Sequence, residues 1–158
     1  MILIKSHILK NGGILPEKYT CDGQDINPPF LIESVHPQAE SLVLIMEDLD
    51  AMFGFSNHWI VWNIPPETRE IREDGFSNDA VVGVNSFNEN KYCGPCPRFG
   101  GEHHYMFTFY ALNARLDLPA SSKMQKLEES LTNHLLDEGK FLVTYKPKNS
   151  LNNFLDLA

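Results

Sequence analysis

The 158-residue sequence has few positive charges and no long hydrophobic run. Its 13 Lys and Arg stand against 21 Asp and Glu, which gives a formal net charge of -8 at pH 7. A chain this acidic lacks the electrostatic footprint of a nucleic-acid-binding protein, and bulk charge does not attract it to anionic membranes. No segment approaches the length of apolar sequence that a transmembrane helix needs, so no membrane span is predicted.

Cysteine is also scarce, since the sequence holds three. An odd and small number of cysteines argues against a secreted disulfide scaffold. The apolar start of the chain is interrupted by Lys5, Ser6 and His7 without a small-residue cleavage site, so no signal peptide is predicted. We therefore expect a cytoplasmic protein with mostly reduced thiols. No repeat or linker interrupts the chain, which predicts one domain over residues 1–158.

Short apolar and aromatic runs predict a fold built mainly from β-strands. Residues 41–48 form a continuous apolar run, and residues 58–64 are aromatic and β-branched. Residues 104–112 alternate between two faces, as expected for a strand. Further strand patterns lie at residues 2–9, 80–87 and 141–146. Because the strands follow one another without intervening helices, a parallel sheet of βαβ units is disfavoured.

One helix is predicted over residues 122–138. Ser122 and Gln125 fit a capping box at its start, and Gly139 stands where a C-terminal glycine cap belongs. The apolar positions recur at helical spacing: Met124, Leu127, Leu131 and Leu135. Large apolar residues in the tail at 150–158 predict a short docking helix there.

Residues 93–96 read CGPC, the sequence of a thioredoxin-type redox loop. Such a loop lies at the start of a helix, whose dipole lowers the pKa of the first thiol. Here Cys96 is followed by Pro and Gly residues and then by a predicted strand. A thiol–disulfide oxidoreductase that uses Cys93 and Cys96 is therefore a disfavoured alternative, although their spacing permits a disulfide between them.

A zinc site is a second interpretation of the same stretch. Cys93, Cys96, His103 and His104 would supply thiolates and imidazoles. A structural zinc site normally adds a second compact ligand pair, whereas neighbouring residues on a strand face opposite ways. We expect neither a metal nor a cofactor.

Polar and ionisable residues collect beside three of the predicted strands. They are Glu47, Asp48 and Asp50 after the first, His58 at the start of the second, and Glu102, His103, His104 and Tyr105 at the start of the third. If these strands are neighbours, the side chains meet at one sheet edge, beside a rigid wall from Pro95 and Pro97. Imidazolium and phenol donors hold a small anion, and carboxylates orient the imidazoles. The pattern favours an anion pocket over isolated polar residues.

A hydrolase is the remaining alternative for these residues. His58 or His103 would act as general base on a water molecule, with an Asp to orient the ring. A covalent serine mechanism has no anchor, because no Ser stands in a Gly-x-Ser-x-Gly elbow.

Five ordered blocks of the sequence resemble the phosphatidylethanolamine-binding protein (PEBP) family, in its bacterial and archaeal, Raf kinase inhibitor-like branch. The blocks are YTCDGQDINPPF (19–30), IMEDLDAM (45–52), NHWIVWNIPP (57–66), GVNSF (83–87) and YCGPCPRFGGEHHYMFTFYAL (92–112). The resemblance extends over about residues 15–148. In the family, a GPCP segment forms one wall of the pocket. The resemblance therefore assigns residues 94–97 to that wall, and Cys93 is the residue that precedes it.

The resemblance implies a mainly β fold of two antiparallel sheets with a few peripheral helices. It implies a non-enzymatic protein with a pocket for phosphate, acetate or a phosphorylated head group. Carried over by motif, the lining would be Asp48, Asp50, His58, Gly94, Pro95, Cys96, His103 and Tyr105. In this reading, the two histidines bind the anion, the tyrosine donates to it, and the aspartates hold the rim loop. The resemblance also implies a kinase or protease as protein partner, and a homodimer.

The chain departs from the family pattern around this pocket. Leu49 and Met52 replace the two prolines of the DPDAP loop. His104 stands where Arg is usual, Arg98 where a second Pro is common, and Ser86 where Asp is usual. These changes bear on which ligand is bound and how tightly.

Overall fold

Nine β-strands and one α-helix occur within residues 1–52, 56–76, 79–97 and 101–147, which a computed structural model describes. The strands are β1 Leu3–Lys5, β2 Gly13–Ile14, β3 Phe30–Glu33, β4 Ser41–Asp48, β5 Asn57–Ile64, β6 Glu70–Ile71, β7 Val81–Val82, β8 His103–Leu112 and β9 Leu135–Tyr145. The helix is α1 Met124–Leu131. Arg98 and the predicted tail helix at 150–158 lie outside the described residues.

The strands form two sheets. The smaller has the order β1-β3-β6, and the larger has the order β2-β9-β8-β4-β5-β7. Neighbouring strands are antiparallel except for the short parallel pair of β2 with β9. The predicted mainly β fold with two sheets is confirmed, and the sequential strands β4 and β5 pair directly, as their short separation in sequence favours.

The larger sheet is covered on both faces. On one face, the ring of Phe30 from the smaller sheet packs 4.8 Å from that of Phe107 and 5.5 Å from that of Phe141. On the other face, Leu127 and Leu131 of α1 join a cluster with residues of β4 and β5. Double-sided burial explains why β4 reads as a continuous apolar run, because neither of its faces meets water.

The strong strand patterns are confirmed, and the weak ones yield short strands. The runs at 41–48, 58–64 and 104–112 coincide with β4, β5 and β8 to within one residue. The patterns at 2–9 and 80–87 shrink to three and two residues, whereas the pattern at 141–146 coincides with the end of the eleven-residue β9. Short edge strands of this kind depend on the partner strand more than on their own sequence.

The predicted helix over 122–138 is wrong at both ends. Lys123, not Ser122, precedes the first helical residue, and no side-chain cap bond forms there. The helix ends at Leu131, a 3-10 turn follows, and β9 begins at Leu135. The described part of the chain therefore contains no helix that is both long and apolar enough to cross a lipid bilayer.

Gly139 explains part of this error, because it lies inside β9 rather than at a helix end. It pairs with Phe109 of β8, and a Cβ at this position would lie 2.2 Å from the carbonyl oxygen of Ile2. Glycine is needed here for close approach of another backbone segment. Pairing with the ten-residue β8 overrides the helical spacing of the leucines, since it satisfies a longer run of backbone hydrogen bonds.

Candidate functional site

The ends of three neighbouring strands bring the predicted site residues together. Asp48 is the last residue of β4 and lies opposite Tyr105, near the start of β8. His103 begins β8, and His58 lies near the start of β5 on the other side of β4. Antiparallel pairing places the end of one strand beside the start of the next, so these residues share one edge of the larger sheet.

A β-bulge sets the position of His58. On β4, Met46 and Glu47 are consecutive, but their partners on β5 are Trp59 and Asn57. His58 is therefore the extra residue of β5 and has no residue opposite. A bulge of this type changes the direction of a side chain. Here it accompanies a T-shaped contact between His58 and Tyr105, whose ring centroids are 5.4 Å apart.

His103 forms a close pair with Asp48. The Nδ1 atom of His103 lies 2.7 Å from Oδ2 of Asp48, and both side chains are largely buried. A carboxylate only accepts hydrogen bonds, so Nδ1 carries the proton and Nε2 is protonated only in the imidazolium form. The other oxygen of Asp48 accepts the backbone N–H of Asp50 at 2.8 Å. One carboxylate thus orients an imidazole and holds the loop after β4.

The His58 ring is bound to the chain around Cys93. Its Nδ1 donates to the carbonyl oxygen of Cys93 at 2.7 Å, and the Cys93 N–H donates to the carbonyl oxygen of His58 at 3.1 Å. Burial lowers the pKa of His58 below its ordinary value, although the bond to the Cys93 carbonyl partly opposes this. As for His103, only the charged form carries a proton on Nε2.

Tyr105 lies between the two imidazoles. Its ring centroid is 5.4 Å from that of His58 and 6.3 Å from that of His103. The hydroxyl is fully buried and has no hydrogen-bond partner among the described residues. Burial, followed by the charge of Asp48, raises the pKa of the phenol well above its usual range. It is therefore a neutral donor at physiological pH, and such buried orphans call for an explanation.

Asp50 lies at the rim rather than beside the buried groups. Its Oδ2 accepts the backbone N–H of His104 at 2.7 Å and contacts Nδ1 of the same residue at 2.8 Å. Both side chains are about half exposed, and the bond to the His104 ring lowers the pKa of Asp50. The N–H of Leu49 also donates to the His104 carbonyl at 2.8 Å. His104, the residue that replaces Arg, thus binds the loop that lacks both prolines.

The predicted pocket wall, residues 94–97, approaches the loop at residues 19–25, here called the anchor loop. The Gly94 N–H donates to Oδ1 of Asp25 at 2.7 Å, and a Cβ on Gly94 would lie 2.2 Å from the Tyr19 carbonyl oxygen. Gly94 and Pro95 are buried, whereas Cys96 is exposed. Glycine at position 94 therefore permits the close approach of two backbone segments.

The prediction for the cysteines is wrong. The disulfide that forms joins Cys96 to Cys21, and not to Cys93. Cys93 is the free cysteine, and burial raises its pKa. Cys96 offers no thiol for a CGPC redox centre or for zinc, and the expectation of mostly reduced thiols fails for two of the three residues. Among the described residues, no three His, Cys, Asp or Glu are grouped to hold a metal ion.

Sequence reasoning missed three residues that shape this site: Cys21, Asp25 and Phe87. Asp25 holds Gly94, and the Phe87 ring lies 5.1 Å from that of His58 in a T-shaped contact. Cys21 and Asp25 both fall in the YTCDGQDINPPF block, and Phe87 ends the GVNSF block. The blocks themselves were the available signal, because each contributes a residue within reach of the histidines.

A cleft of about 490 Å³ lies elsewhere, lined by residues between 68 and 76. None of the convergent ionisable groups borders it. We locate the candidate site at the histidines because buried polar groups meet there, whereas a cleft alone specifies no chemistry.

Known proteins share both sequence and fold with this chain. Residues 5–146 match the phosphatidylethanolamine-binding protein family. A UPF0098 protein of Pyrococcus horikoshii is 41% identical over 94% of this chain and 78% of its own length. A UPF0098 protein of Aquifex aeolicus is 39% identical over 89% of this chain and 86% of its own length.

Two solved structures have the same fold as this chain. The PEBP homolog CT736 of Chlamydia trachomatis superposes with a TM-score of 0.87 at 32% identity, over 93% of this chain and 98% of that one. Escherichia coli YbcL, described as a member of the mammalian PEBP family, has a TM-score of 0.86 at 23% identity, over 93% and 99%, and shares the fold. With a family match over nearly its whole length and relatives near 40% identity, the chain belongs to the phosphatidylethanolamine-binding protein family.

Proposed function

We propose that this protein binds a small anion or a phosphorylated head group, without catalysing a reaction, at the edge of the larger sheet. The proposed lining is Asp48, Asp50, His58, Gly94, Pro95, Cys96, His103 and Tyr105. One observation carries the proposal: the buried Tyr105 hydroxyl, placed between two imidazole rings, has no hydrogen-bond partner among the described residues. A ligand oxygen would satisfy this donor.

The two histidines supply the charge for such a ligand. Each ring uses Nδ1 to donate to a fixed oxygen, on Asp48 for His103 and on Cys93 for His58. Protonation at Nε2 would give each ring a second donor and a positive charge. Charge-assisted hydrogen bonds of this kind are about twice as strong as neutral ones. The rings are thus oriented in advance, which lowers the entropic cost of binding.

Carboxylates beside the histidines favour a ligand that also carries a positive charge. Asp48 is in direct contact with His103, and the charges of Asp48 and Asp25 both act on His58. A purely anionic ligand meets these carboxylates as well as the imidazoles. Phosphoethanolamine has a phosphate for the imidazoles and an ammonium group for a carboxylate, so we expect it to bind more tightly than inorganic phosphate.

The first test is an NMR titration of the histidine ring protons with phosphate and with phosphoethanolamine. We expect saturable shifts at His58 and His103 and about tenfold weaker binding in His58→Ala, the loss expected for one hydrogen bond to a charged group. His134→Ala is the matched control, because His134 bonds to Asn113 beyond the opposite end of β8. Absence of shifts at both rings would contradict the proposal.

Anion affinity should rise on acidification. Burial lowers the pKa of free His58, so the ring is neutral near pH 7 and must take up a proton to donate from Nε2. Between about pH 8 and pH 6, one proton taken up strengthens binding by up to about tenfold per pH unit. Sulfate is the suitable probe, because its own charge is constant in this range. A pH-independent sulfate affinity, or an unchanged slope in His58→Ala, would contradict this prediction.

The pair of His103 with Asp48 also fits a general base with an orienting carboxylate. Prolonged incubation of the protein with phosphoethanolamine therefore serves as a second arm of the titration. If the unmodified protein releases inorganic phosphate and His103→Ala does not, the hydrolase alternative is favoured. Binding without release supports the non-enzymatic function.

A further inference from the structure

The Cys21–Cys96 disulfide joins the pocket wall to the anchor loop. The two Cα atoms lie 5.4 Å apart, and the cross-link connects positions 75 residues apart in sequence. Both cysteine residues are exposed. A dissolved thiol can therefore reach the bond, unlike a disulfide inside a core.

Among the described residues, the hydrogen bond and the cross-link that hold the far half of the wall, residues 95–97, both come from Cys21, and Pro95 is also buried. The hydrogen bond runs from the Cys21 N–H to the Pro95 carbonyl at 3.2 Å, and the cross-link is the disulfide of Cys96 with Cys21. Pro95 and Pro97 have no N–H to donate. Breaking the disulfide would therefore leave this half of the wall with one hydrogen bond to the described residues and the packing of the buried Pro95.

The anchor loop is itself fixed to the body of the protein. The Tyr145 hydroxyl of β9 donates to Asp22, and the Tyr92 hydroxyl donates to the Tyr19 carbonyl at 2.8 Å. The bond from the Gly94 N–H to Asp25 joins this loop to the near end of the wall. The disulfide thus connects a secured loop to the far half of the wall, so its effect should be local to the wall.

We propose that the Cys21–Cys96 disulfide is a redox switch for the anion affinity of the pocket, and this inference rests on the function proposed above. With the bond intact, the wall is held beside His58, and the pocket is ready for its ligand. With the bond reduced, residues 94–97 adopt the arrangement that binds the ligand for only part of the time. If that fraction is about one tenth, the apparent affinity falls about tenfold.

The switching step is an ordinary thiol–disulfide exchange with a dithiol reductant. One thiolate of the reductant attacks one sulfur of the disulfide, forms a mixed disulfide and releases the other cysteine as a thiolate. The second thiolate of the reductant then attacks the reductant's sulfur in the mixed disulfide and releases the remaining cysteine. The products are two protein thiols and the oxidised, disulfide form of the reductant, so two electrons and two protons enter the protein. Cys93 takes no part in this exchange.

The experiment compares phosphate titrations of the oxidised protein, of the protein in excess dithiothreitol, and of Cys21→Ser/Cys96→Ser. We expect the reduced protein and the double variant to bind phosphate about tenfold more weakly than the oxidised protein. The double variant should show no response to dithiothreitol. Cys93→Ser is the matched control and should still respond, because its disulfide remains.

The outcomes separate the two proposals. Equal affinity of the oxidised and reduced proteins would overturn the switch and leave the anion-binding function standing. Absence of binding in both states would overturn the function itself. Amide chemical-shift changes on reduction should be confined to the wall and the anchor loop. A general collapse of the spectrum would also overturn the switch, since the bond would then hold the whole fold.

Discussion

Tyr105→Phe should weaken anion binding about 10- to 100-fold and leave the ligand-free protein no less stable. The hydroxyl is buried without a hydrogen-bond partner among the described residues, so its removal breaks no hydrogen bond to them. A buried unpaired polar group costs about 1–3 kcal/mol, and the free energy of unfolding should therefore stay constant or rise. A hydrogen bond from the phenol to a charged ligand is worth about 1.5–3 kcal/mol, which sets the loss of affinity. Urea denaturation and phosphate titration measure the two effects.

Tyr110→Phe is the matched control for this substitution. Tyr110 lies on the same strand but packs with the cluster around α1, on the other face of the sheet. Removal of the Tyr110 hydroxyl should leave phosphate affinity unchanged. A Tyr105→Phe protein that is destabilised yet binds normally would show that the hydroxyl serves the fold and not the ligand.

Phe30→Ala should cost about 3–5 kcal/mol of unfolding free energy, the usual range for a buried phenylalanine. Phe30 is the central contact between the two sheets, because its ring packs within 5.6 Å of the rings of Phe107, Phe109 and Phe141. Truncation removes apolar burial and leaves a cavity that neighbouring strands cannot close without moving. Chemical denaturation at a fixed temperature measures the loss.

Phe87→Ala makes the same chemical change at a residue that is 41% exposed. It should cost clearly less than Phe30→Ala, because a side chain this exposed buries less apolar surface and its removal leaves no closed cavity. Comparable losses for the two substitutions would mean that the sheets are held together by contacts other than the Phe30 cluster.

The central strands were predictable because their signal is local. β4 is apolar on both faces, and β8 alternates between large aromatic and other residues, so each pattern indicates a strand without knowledge of its partner. The helix boundary was not predictable in this way. Leu135 continues the spacing of Leu127 and Leu131, yet it pairs with Leu112 as the first residue of β9. Leucine spacing alone does not distinguish the end of a helix from the start of a strand.

The cysteines show the same limit at longer range. Cys93 and Cys96 are close in sequence, which made them the natural pair to consider. The folded chain instead brings Cys21 next to Cys96, because the anchor loop packs against the wall through Asp25 and Gly94. A contact between residues 75 positions apart depends on the arrangement of every strand between them, and no local pattern encodes it.

By itself, the sequence determined the family, the β-rich class and the residues from which a pocket would be built. Their chemical types and their places at strand ends are local properties, readable one block at a time. The tertiary structure decided how those residues are used. A bulge accompanies the contact of His58 with Tyr105, Asp48 pairs with His103 while Asp50 bonds to His104, and the Tyr105 hydroxyl has no hydrogen-bond partner among the described residues. Each of these outcomes depends on strand register and burial, which are set only when distant segments pack together.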